Sequence, residues 1–587
     1  MTGLRVWAPE ATAVAVEIGD GSHPMEPGDG GWWSAHVHVA PGTDYRYVID
    51  GEASPDPRSP WQPDGVHGPS RTIDHDAFAW SDDGWRGFHL PSAVLYELHV
   101  GTFTAEGTFD AAIARLDHLV ELGIDAVEVM PVNAFPGRHG WGYDGIGWYA
   151  VHDAYGGPEG LKRFVDACHA RGLGVILDVV YNHLGPDGAS LDRFGPYFTD
   201  RYGTPWGPAV NLDGPGSDEV RRYIVDNALQ WVADYRLDGL RLDAVHALVD
   251  TSAIHVLEQL ATEVSEFAAH AGRPLWLIAE SDLNDPRLVR PTAVGGYGLD
   301  AMWSDDLHHA LHVALTGERS GYYVDFDGLV DVAYALRGGL VYDGRHSVYR
   351  QCVHGRPADD VPGSRFVAYL QNHDQVGNRA RGERITHLVS PERAAAGAAL
   401  LLTAPVVPLV FQGEEWAAST PFPYFTDHQD PELIEAVRRG RREEFAGFGW
   451  APDEVADPQD PATVESAVLR WDERDAEPHE SMLGWYRRLI ALRRRIPDLT
   501  DGRRDRVRTQ TGADWIAVQR GRVTVVVNLG RAPLDPPLED RPTHLLLSSQ
   551  PVPGGGPIPP DTAAVFGDHA LAASTADLRP ASVGAAS

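Results

Sequence analysis

Three carboxylic acids lie at the ends of apolar runs that are far apart in the chain. Asp243 falls in GLRLDAVH, Glu280 in LWLIAES, and Asp374 ends RFVAYLQNHD. Cleavage of a glycosidic bond needs one carboxylic acid to protonate the leaving oxygen and one carboxylate on the other side of the anomeric carbon. Carboxyl groups gathered in one pocket repel one another, which raises one pKa and keeps a glutamate protonated while an aspartate stays ionised. The trio therefore indicates glycoside cleavage if the fold brings the three side chains together.

Arg241 stands two residues before Asp243, so the two side chains share one face of the predicted strand. The fixed positive charge of the guanidinium would hold Asp243 ionised, and the alternative interpretation is an ion pair with a purely structural role. A single polar residue after a strand is often only a turn residue or a helix cap. Recurrence of such residues at one level of the fold indicates a common pocket: Tyr181, Asn182, His183, His246, Ser281, Asp282, Trp303, Ser304, Asp305, Asp306, Asn372, His373 and Gln375.

Eight apolar runs recur along the middle of the chain, with amphipathic helical stretches between them. Continuous apolar strands that alternate with such helices are typical of a parallel sheet. Eight such units predict a (β/α)8 TIM barrel with insertions, and a doubly wound open sheet is the structural alternative. In a barrel the carboxyl ends of the strands converge on the face that carries the active site. The runs lie at 94–103, 126–132, 174–183, 239–246, 275–281, 299–307, 365–374 and 406–415.

The two ends of the chain differ in pattern from this middle part. Residues 1–88 consist of short alternating strands separated by Gly, Asp and Pro, which predicts an N-terminal β-sandwich. Residues 89–500 form the predicted barrel, which a helix at 480–499 would close. Alternation returns beyond that helix and predicts a small C-terminal β-domain over 501–587. The expected fold class is thus multidomain α/β, with a barrel between two β-domains.

Composition and charge exclude several classes of function. The net charge is −35, from 49 basic and 84 acidic residues, and such a surface repels a phosphate backbone but not a neutral sugar. We therefore expect no nucleic-acid partner. Two cysteines are too few for a disulfide framework or a Cys-based zinc site. No apolar run approaches the roughly 18 to 20 residues that span a membrane. The N-terminus lacks the pattern of a secretory signal, so we expect a cytoplasmic protein without membrane contacts.

Four segments carry a resemblance to a known family. DVVYNH (178–183), GLRLDAVH (239–246), IAESD (278–282) and QNHDQVGN (371–378) occur in order, each on an expected strand. In this combination the chain resembles the α-amylase family of glycoside hydrolases, glycoside hydrolase family 13. A single short motif is only a hypothesis, whereas four in order on the expected strands form a specific signal.

The resemblance implies a role for each residue of the trio. By it, Asp243 is the nucleophile, Glu280 the general acid and base, and Asp374 the group that stabilises the transition state. It also implies that Tyr143, in WGYDG, stacks on the sugar and that Asp178 is a structural partner in the arginine network. The side chains expected to bind substrate are Tyr143, Asp144, His183, Arg241, His246, Trp303, Asp305, Asp306, His373, Gln375, Glu414 and Trp416.

Other segments resemble one branch of that family more closely. The opening VWAP is similar to glucan-binding modules, and 130–145, 303–312 and 411–428 are similar to enzymes that release trehalose from a trehalose-capped maltooligosaccharide. The implied substrate is maltooligosyltrehalose, and the implied pathway partner is a maltooligosyltrehalose synthase. Selectivity must then come from the leaving-group side, where a pocket that pairs the trehalose hydroxyls rejects maltose. We expect contributions there from Trp303, Asp305, Asp306, His308, His309 and the loop 414–428, with Glu414, Trp416, Tyr424 and Phe425.

The mechanism expected of such a site is double displacement with retention of configuration. Glu280 protonates the glycosidic oxygen while Asp243 attacks the anomeric carbon, and water then resolves the covalent glucosyl-enzyme. Retaining sites place the two carboxyl groups about 5 to 5.5 Å apart. No cofactor or metal is expected, because the segment 184–213 is short for a calcium-binding insertion, although Asn182 matches a calcium-binding position of some family members.

Two other functions stay open at this point. A glucan branching enzyme also combines an N-terminal sandwich with this barrel, and it transfers the cleaved chain to a new α-1,6 bond instead of to water. A non-enzymatic glucan-binding or scaffold protein is the other alternative, because a fold alone does not imply catalysis. The intact trio Asp243, Glu280 and Asp374 argues against a protein without activity.

Overall fold

Eight parallel strands close into a barrel in the computed structural model of the chain. Each strand pairs with its neighbours in chain order, and the last pairs with the first, Leu409 opposite Leu95. The predicted TIM barrel is therefore confirmed, and the open-sheet alternative is wrong. Every strand falls inside one of the predicted apolar runs: β1 (Leu95–Leu98), β2 (Ala126–Val129), β3 (Gly174–Val179), β4 (Gly239–Leu242), β5 (Trp276–Ala279), β6 (Ala301–Trp303), β7 (Phe366–Tyr369) and β8 (Val407–Phe411).

Amphipathic helices cover the outside of the barrel. Ser217–Asp234 buries Ile224 and Trp231, which share one face because an α-helix repeats every 3.6 residues. The strands are covered on both sides as a result, which explains their continuous apolar runs. The predicted closing helix is His479–Arg495; it ends shortly before Pro497, since the residue before a proline avoids the helical conformation. Further helices are Phe109–Ile113, Leu116–Leu122, Gly157–His169, Val256–Ala271, Asp305–Thr316, Leu329–Gly338 and Pro391–Leu402.

Insertions in the barrel bring further side chains to the carboxyl end of the strands. One antiparallel pair lies between β2 and β3, a second between β3 and β4 and a third between β6 and β7, and the helix Pro431–Ala446 follows β8. The sequence pattern predicts insertions without locating these elements. The antiparallel pairs are Asn133–Ala134 with Gly147–Val151, Phe198–Thr204 with Gly207–Val210, and Asp343–Ser347 with Cys352–Gly355.

Two antiparallel sheets precede the barrel, in agreement with the expected N-terminal β-structure. Buried Val6, Val16 and Tyr47 belong to the hydrophobic core beneath them. Alternate residues of Asp44–Ile49 are buried, the pattern of a strand with one covered face. One sheet contains Arg5–Trp7, Trp32–Ser34 and Glu26–Pro27, and the other contains Gly21–Pro24, Val14–Ile18, Asp44–Ile49, Glu52–Ser54 and Ser70–Arg71.

A five-stranded antiparallel sheet follows the closing helix, as the returning alternation predicts. Its central strand, Val523–Asn528, is buried at every position. The strand order is Val507–Thr511, Trp515–Arg520, Val523–Asn528, Thr562–Gly567 and His544–Ser548.

The limits 1–88, 89–500 and 501–587 stay predictions, and the tail 579–587 lies outside the described residues. Among the helices that the structure describes, none has both the length and the apolar character that a membrane span requires. The described residues are 3–188, 190–446, 450–451, 454–535, 544–553 and 556–578.

Candidate active site

The carboxyl end of the barrel opens into a cavity of about 560 Å³. Parallel strands all point the same way, so residues that follow different strands meet at this end. Most of the predicted site residues line the cavity together: Tyr143, Asp144, His183, Arg241, Asp243, His246, Glu280, Trp303, Asp305, His373 and Asp374.

Arg241, the third residue of β4, connects the acidic groups of the site. It is 2% exposed, and its Nη1 donates to Asp243 Oδ1 at 2.7 Å and to the two oxygens of Asp178 at 2.9 and 2.8 Å. Its Nη2 lies 3.7 Å from Oε2 of Glu280. Its guanidinium carbon lies 4.2 Å from the centre of the Trp303 ring, a favourable cation–π position. One buried cation therefore contacts both Asp243 and Glu280.

Asp243 is held as an anion with both oxygens engaged. Oδ2 accepts a hydrogen bond from the side-chain amide of Asn182 at 2.8 Å, while Oδ1 faces Arg241. Burial alone would raise the pKa of this carboxyl, but the positive charge of Arg241, assisted by His183 and Asn182, brings the pKa below its ordinary value. An ionised, oriented carboxylate is suited to attack an anomeric carbon.

Glu280, directly after β5, has the opposite electrostatic environment. Burial raises its pKa well above the ordinary value, and Arg241 offsets this only in part. The negative charges of Asp243 and Asp305 raise the pKa further. Oε2 accepts the backbone N–H of Ala244 at 2.7 Å, so Oε1 is the oxygen left to carry the proton. The arrangement sets a neutral acid beside an ionised nucleophile, as glycoside cleavage requires.

The backbone after Asp243 is strained. Ala244 has φ 40° and ψ 49°, a left-handed conformation that is uncommon for residues other than glycine. This conformation aims the Ala244 N–H at the Glu280 carboxyl, and the carbonyl of Glu280 accepts the N–H of Val245 at 3.0 Å. Two hydrogen bonds therefore join the segment after β4 to the acid that follows β5.

Asp374 is the second residue of a short helix, His373–Gly377, and its side chain is accessible from the cavity. Oδ1 accepts a hydrogen bond from the side-chain amide of Asn378 at 2.6 Å. Poor solvation within the cavity raises the pKa of this carboxyl, an effect that the positive charge of His373 partly offsets. Asp374 thus faces the same space as Asp243 and Glu280.

Glu97, on β1, is a site residue that the sequence reasoning missed. It is 1% exposed; Oε2 accepts the backbone N–H of His373 at 2.9 Å, and Oε1 accepts its Nδ1–H at 2.5 Å. Burial lowers the pKa of His373, but the charge of Glu97 more than offsets this and leaves the pKa raised. A single charged residue within VLYELHV was a usable signal, because a buried carboxylate requires a partner.

Tyr143 and Asp178 lie beside this pair. The Tyr143 ring stacks on His373 with 5.0 Å between centroids, and its hydroxyl donates to Asp178 at 2.5 Å. Burial raises the pKa of Asp178 to about 6, although Arg241 opposes the rise. Asp178 is therefore a partner of Tyr143 and Arg241, the position that the family resemblance implies, while Tyr143 presents an aromatic ring to the cavity.

His183 and Trp206 form a stacked pair in another part of the wall, with 4.7 Å between ring centroids. Trp206, from the hairpin between β3 and β4, is 45% exposed and was missed because no strand-end pattern marks it. His246 accepts the backbone N–H of Asp282 at 3.3 Å through Nδ1. Burial lowers the pKa of both histidines, so both rings are neutral near pH 7. The two ring nitrogens of His183 face the carbonyl oxygens of Asn182 and Tyr143. His246 accepts through Nδ1, so its N–H lies at Nε2 and can pair with a sugar hydroxyl.

Asp305, the first residue after Ser304, adds a further carboxyl to the cavity wall. The Tyr369 hydroxyl donates to its Oδ1, and Nε2 of Gln375 donates to the same oxygen at 3.2 Å. Burial raises the pKa of Asp305 to about 7, with the Tyr369 hydroxyl opposing the rise. Gln375 is therefore a partner of Asp305 and does not line the cavity.

Besides Gln375, three more residues expected to bind substrate do not line the cavity, and the expectation needs correction at all four. Asp306 is buried, and its Oδ2 accepts the backbone N–H groups of Val341 and Tyr342 at 2.6 and 2.7 Å. Glu414 accepts from the hydroxyl of Tyr486 at 2.8 Å, and Trp416 is fully buried. These side chains satisfy buried protein groups, because the chain after β6 and β8 turns them away from the cavity.

Of the other residues expected on the leaving-group side, one lines the cavity and three do not. Tyr424 lines the cavity and its hydroxyl donates to Asp144 at 3.3 Å. His308, His309 and Phe425 do not line it, and Nδ1 of His308 donates to the carbonyl of Leu370 at 2.9 Å.

Asn182, which matches a calcium-binding position of some family members, is hydrogen-bonded through both atoms of its amide. Its amide nitrogen donates to the carbonyl and to Oδ2 of Asp243 at 2.9 and 2.8 Å, and its carbonyl oxygen accepts from His183. Within the described residues, no group of three or more His, Cys, Asp or Glu side chains is arranged to hold a metal ion. The contacts of Asn182 are those of a residue that orients a carboxylate.

Comparison with known proteins adds independent evidence on the family. Residues 72–195 match the catalytic-domain family of α-amylase, and residues 502–565 match a domain family of unknown function, DUF3459. The malto-oligosyltrehalose trehalohydrolase of Arthrobacter ramosus is 54% identical over 91% of this chain and 93% of its own length. A solved structure from Salmonella typhimurium, described as a putative alpha amylase, shares 38% identity, with a TM-score of 0.89 over 96% of this chain and 97% of that chain.

A branching enzyme is a more distant relative. The 1,4-alpha-glucan branching enzyme GlgB 2 of Xanthomonas campestris is 31% identical over 53% of this chain and 48% of its own length. That match covers about half of each chain, whereas the trehalohydrolase match extends over nearly the whole of both.

Proposed function

The chain belongs to the malto-oligosyltrehalose trehalohydrolase family, and from this premise we propose that it hydrolyses the α-1,4 bond next to the terminal trehalose of a maltooligosyltrehalose. The products are free trehalose and a maltooligosaccharide. The observation that carries the proposal is the contact of one guanidinium, Arg241, with both Asp243, whose pKa is lowered, and Glu280, whose pKa is raised.

The first half of the reaction forms a covalent intermediate. Glu280 Oε1 gives its proton to the glycosidic oxygen while a carboxylate oxygen of Asp243 attacks the anomeric carbon. The carbon–oxygen bond to the trehalose unit breaks, and trehalose leaves as a neutral alcohol. The remaining glucan is then joined through an ester bond to Asp243, and Glu280 is an anion.

Water completes the reaction in the second half. The Glu280 carboxylate removes a proton from a water molecule as that water attacks the anomeric carbon from the face that trehalose has left. The ester bond breaks, Asp243 regains its negative charge and Glu280 regains its proton. Two inversions give net retention, for which we expect the two carboxyl groups to lie about 5 to 5.5 Å apart.

Other residues of the cavity are proposed to hold the sugar during these steps. Asp374 would accept hydrogen bonds from sugar hydroxyls and stabilise the positive charge that develops at the anomeric carbon. Tyr143 offers a ring face to the sugar, and His373 offers the N–H group at Nε2, since its Nδ1–H is donated to Glu97. Their fixed partners reduce the reorganisation needed in the transition state.

Selectivity for trehalose is proposed to arise on the leaving-group side of Glu280. Asp305 and His246 line the same cavity as that acid, and Trp206 offers an exposed ring face. Trehalose joins its two glucose units through both anomeric carbons, so its hydroxyls are arranged differently from those of maltose, and buried polar groups that pair with them discriminate between the two.

Product analysis tests the proposal. We expect chromatography after incubation with maltotriosyltrehalose to show trehalose and maltotriose, and a much lower rate on maltopentaose. Equal rates on the two substrates would remove the selectivity for trehalose. New α-1,6 bonds in place of free trehalose would establish the branching alternative, for which the partial similarity to a branching enzyme is the supporting observation.

The cellular setting is a further part of the proposal. A maltooligosyltrehalose synthase would supply the substrate, and we propose a cytoplasmic location for both proteins. The supporting observation for the location is that both cysteines are free, since disulfides are rare in the reducing cytoplasm.

A further inference from the structure

The helix Pro431–Ala446 brings an arginine to the active-site cavity. Phe445 is its buried residue, and its other described side chains are half-buried or exposed. Arg441 nevertheless lines the cavity, with its guanidinium carbon 4.7 Å from the centre of the Tyr424 ring and 4.5 Å from that of Phe445. Packing against two rings restricts the direction in which this side chain can point.

Arg441 donates hydrogen bonds to the C-terminal end of the short helix His373–Gly377, which carries Asp374. Its Nη2 donates to the carbonyl of Gly377 at 3.1 Å, and its Nη1 donates to Oδ1 of Asn378 at 3.0 Å and to Glu444 at 2.9 Å. Gly377 is the last residue of the short helix in which Asp374 is the second. The arginine therefore links the inserted helix Pro431–Ala446 to the C-terminal end of the helix His373–Gly377.

Asn378 connects the arginine to the carboxylate. Its Nδ2 donates to Asp374 Oδ1 at 2.6 Å while its Oδ1 accepts from Arg441. A guanidinium can only donate, so Arg441 requires the carbonyl oxygen of the amide to face it, and the NH2 group must then face Asp374. Without Arg441 only the hydrogen bond to Asp374 would hold the amide, and Asn378 would be free to move together with that carboxylate.

We propose that Arg441 is a positioning residue for Asp374, acting through Asn378. The guanidinium anchors the amide through its carbonyl oxygen, and the amide holds Asp374 where it meets the reacting sugar. This inference rests on the proposed function, because it requires Asp374 to take part in the hydrolysis. Small displacements of an oriented group reduce the rate of the chemical step more than the affinity for the substrate.

The test compares variants of the full chain on maltotriosyltrehalose. Arg441→Met keeps an apolar stem of similar length and removes every donor. We expect kcat to fall by about 10- to 100-fold, as a displacement near 1 Å can cause, with KM within about threefold of its original value. Arg441→Lys retains the charge and a donor, so we expect it to recover part of kcat.

Arg438 supplies a matched control on the same helix. Its Nε donates to Asp457 at 3.0 Å and its Nη1 to Glu435 at 2.7 Å, and it does not line the cavity. We expect Arg438→Met to leave kcat within about twofold, since surface ion pairs contribute little. Thermal unfolding of both variants, measured in parallel, distinguishes a loss of the fold from a displacement of Asp374.

A double variant tests whether Arg441 acts through Asn378. If the two form one connection, Arg441→Met combined with Asn378→Ala is no slower than the slower single variant. A double variant whose loss of kcat equals the product of the two single losses would show that Arg441 does not act through Asn378. A raised KM with unchanged kcat in Arg441→Met would make Arg441 a substrate-binding residue instead. If the wild-type protein is active on maltopentaose and not on maltotriosyltrehalose, the proposed selectivity is wrong, and the variants are then compared with wild type on maltopentaose. Protein inactive on both glucans would end both proposals.

Discussion

The backbone N–H of Ala244 donates to Oε2 of Glu280 at 2.7 Å, and Ala244 is the residue that follows Asp243. The two carboxyl groups of the proposed reaction are therefore coupled through one peptide unit as well as through Arg241. The left-handed conformation of Ala244 makes the contact, so the strain there has a direct consequence for the position of the acid.

Substitution of Ala244 tests this coupling. Glycine adopts positive φ without strain, so we expect Ala244→Gly to change the free energy of unfolding by less than about 1 kcal/mol and to keep most of kcat. A β-branched residue is strained there by about 1 to 3 kcal/mol, and we expect Ala244→Val to lower both stability and kcat. Denaturant unfolding and steady-state kinetics measure the two effects. A valine variant equal to wild type would show that the conformation is unimportant.

The loss of rate that follows replacement of the acid, Glu280, should depend on the leaving group of the substrate. We expect Glu280→Gln to lower kcat on maltotriosyltrehalose by about 10²- to 10⁴-fold, the contribution of general acid catalysis. An α-glucosyl fluoride needs no proton on its leaving group, so formation of the intermediate from it should be far less affected. Asp243→Asn should be inactive on both substrates because it lacks the nucleophile. Rapid-mixing measurement of fluoride release provides the comparison, and equal losses on both substrates would argue against Glu280 as the acid.

Asp305 should influence the alkaline limb of the pH profile. Glu280 acts as a proton donor, so activity is lost as pH rises through its pKa, which burial and the charges of Asp243 and Asp305 raise. Removal of one negative charge lowers that pKa, and we expect Asp305→Asn to move the alkaline limb of kcat/KM to lower pH. Asp144→Asn is the control, because Asp144 lines the cavity without being among the main influences on the pKa of Glu280. A shift in the opposite direction would contradict the assignment.

The buried pair of Glu97 and His373 should contribute stability that depends on pH. The pKa of His373 is raised in the folded protein, so the stabilisation is fully present below the unfolded pKa of about 6.5 and is lost as pH rises through the folded pKa. We expect Glu97→Gln to lower the free energy of unfolding by about 3 to 5 kcal/mol in mild acid, with a smaller difference at alkaline pH. Unfolding at several pH values measures it, and a difference that grows with pH would refute the charge pairing.

Chelation tests the expectation that no metal is required. The amide nitrogen of Asn182 is hydrogen-bonded to Asp243 and its oxygen to His183, so its contacts serve the carboxylate. We expect prolonged dialysis against a chelator to leave kcat and the unfolding temperature unchanged. A loss of activity that added Ca²⁺ restores would overturn this expectation.

The sequence by itself determined the barrel and the positions of Asp243, Glu280 and Asp374 at strand ends. The physical reason is that a parallel strand covered on both faces must be apolar throughout, so each strand is visible as a short run with polar residues where it ends. Barrel closure then requires those ends to meet, whatever their separation along the chain. The opposite directions of the pKa shifts of Asp243 and Glu280 followed from the same grouping of charges.

Only the tertiary structure decided which neighbouring side chains face the cavity. Asp305 faces it and Asp306 does not, because the direction of each side chain after a strand depends on the path of the loop and on what that loop packs against. Trp206 and Arg441 come from inserted elements whose sequences carry no strand-end pattern. Sequence patterns report the periodicity of burial within an element, whereas contacts between distant elements depend on how those elements pack.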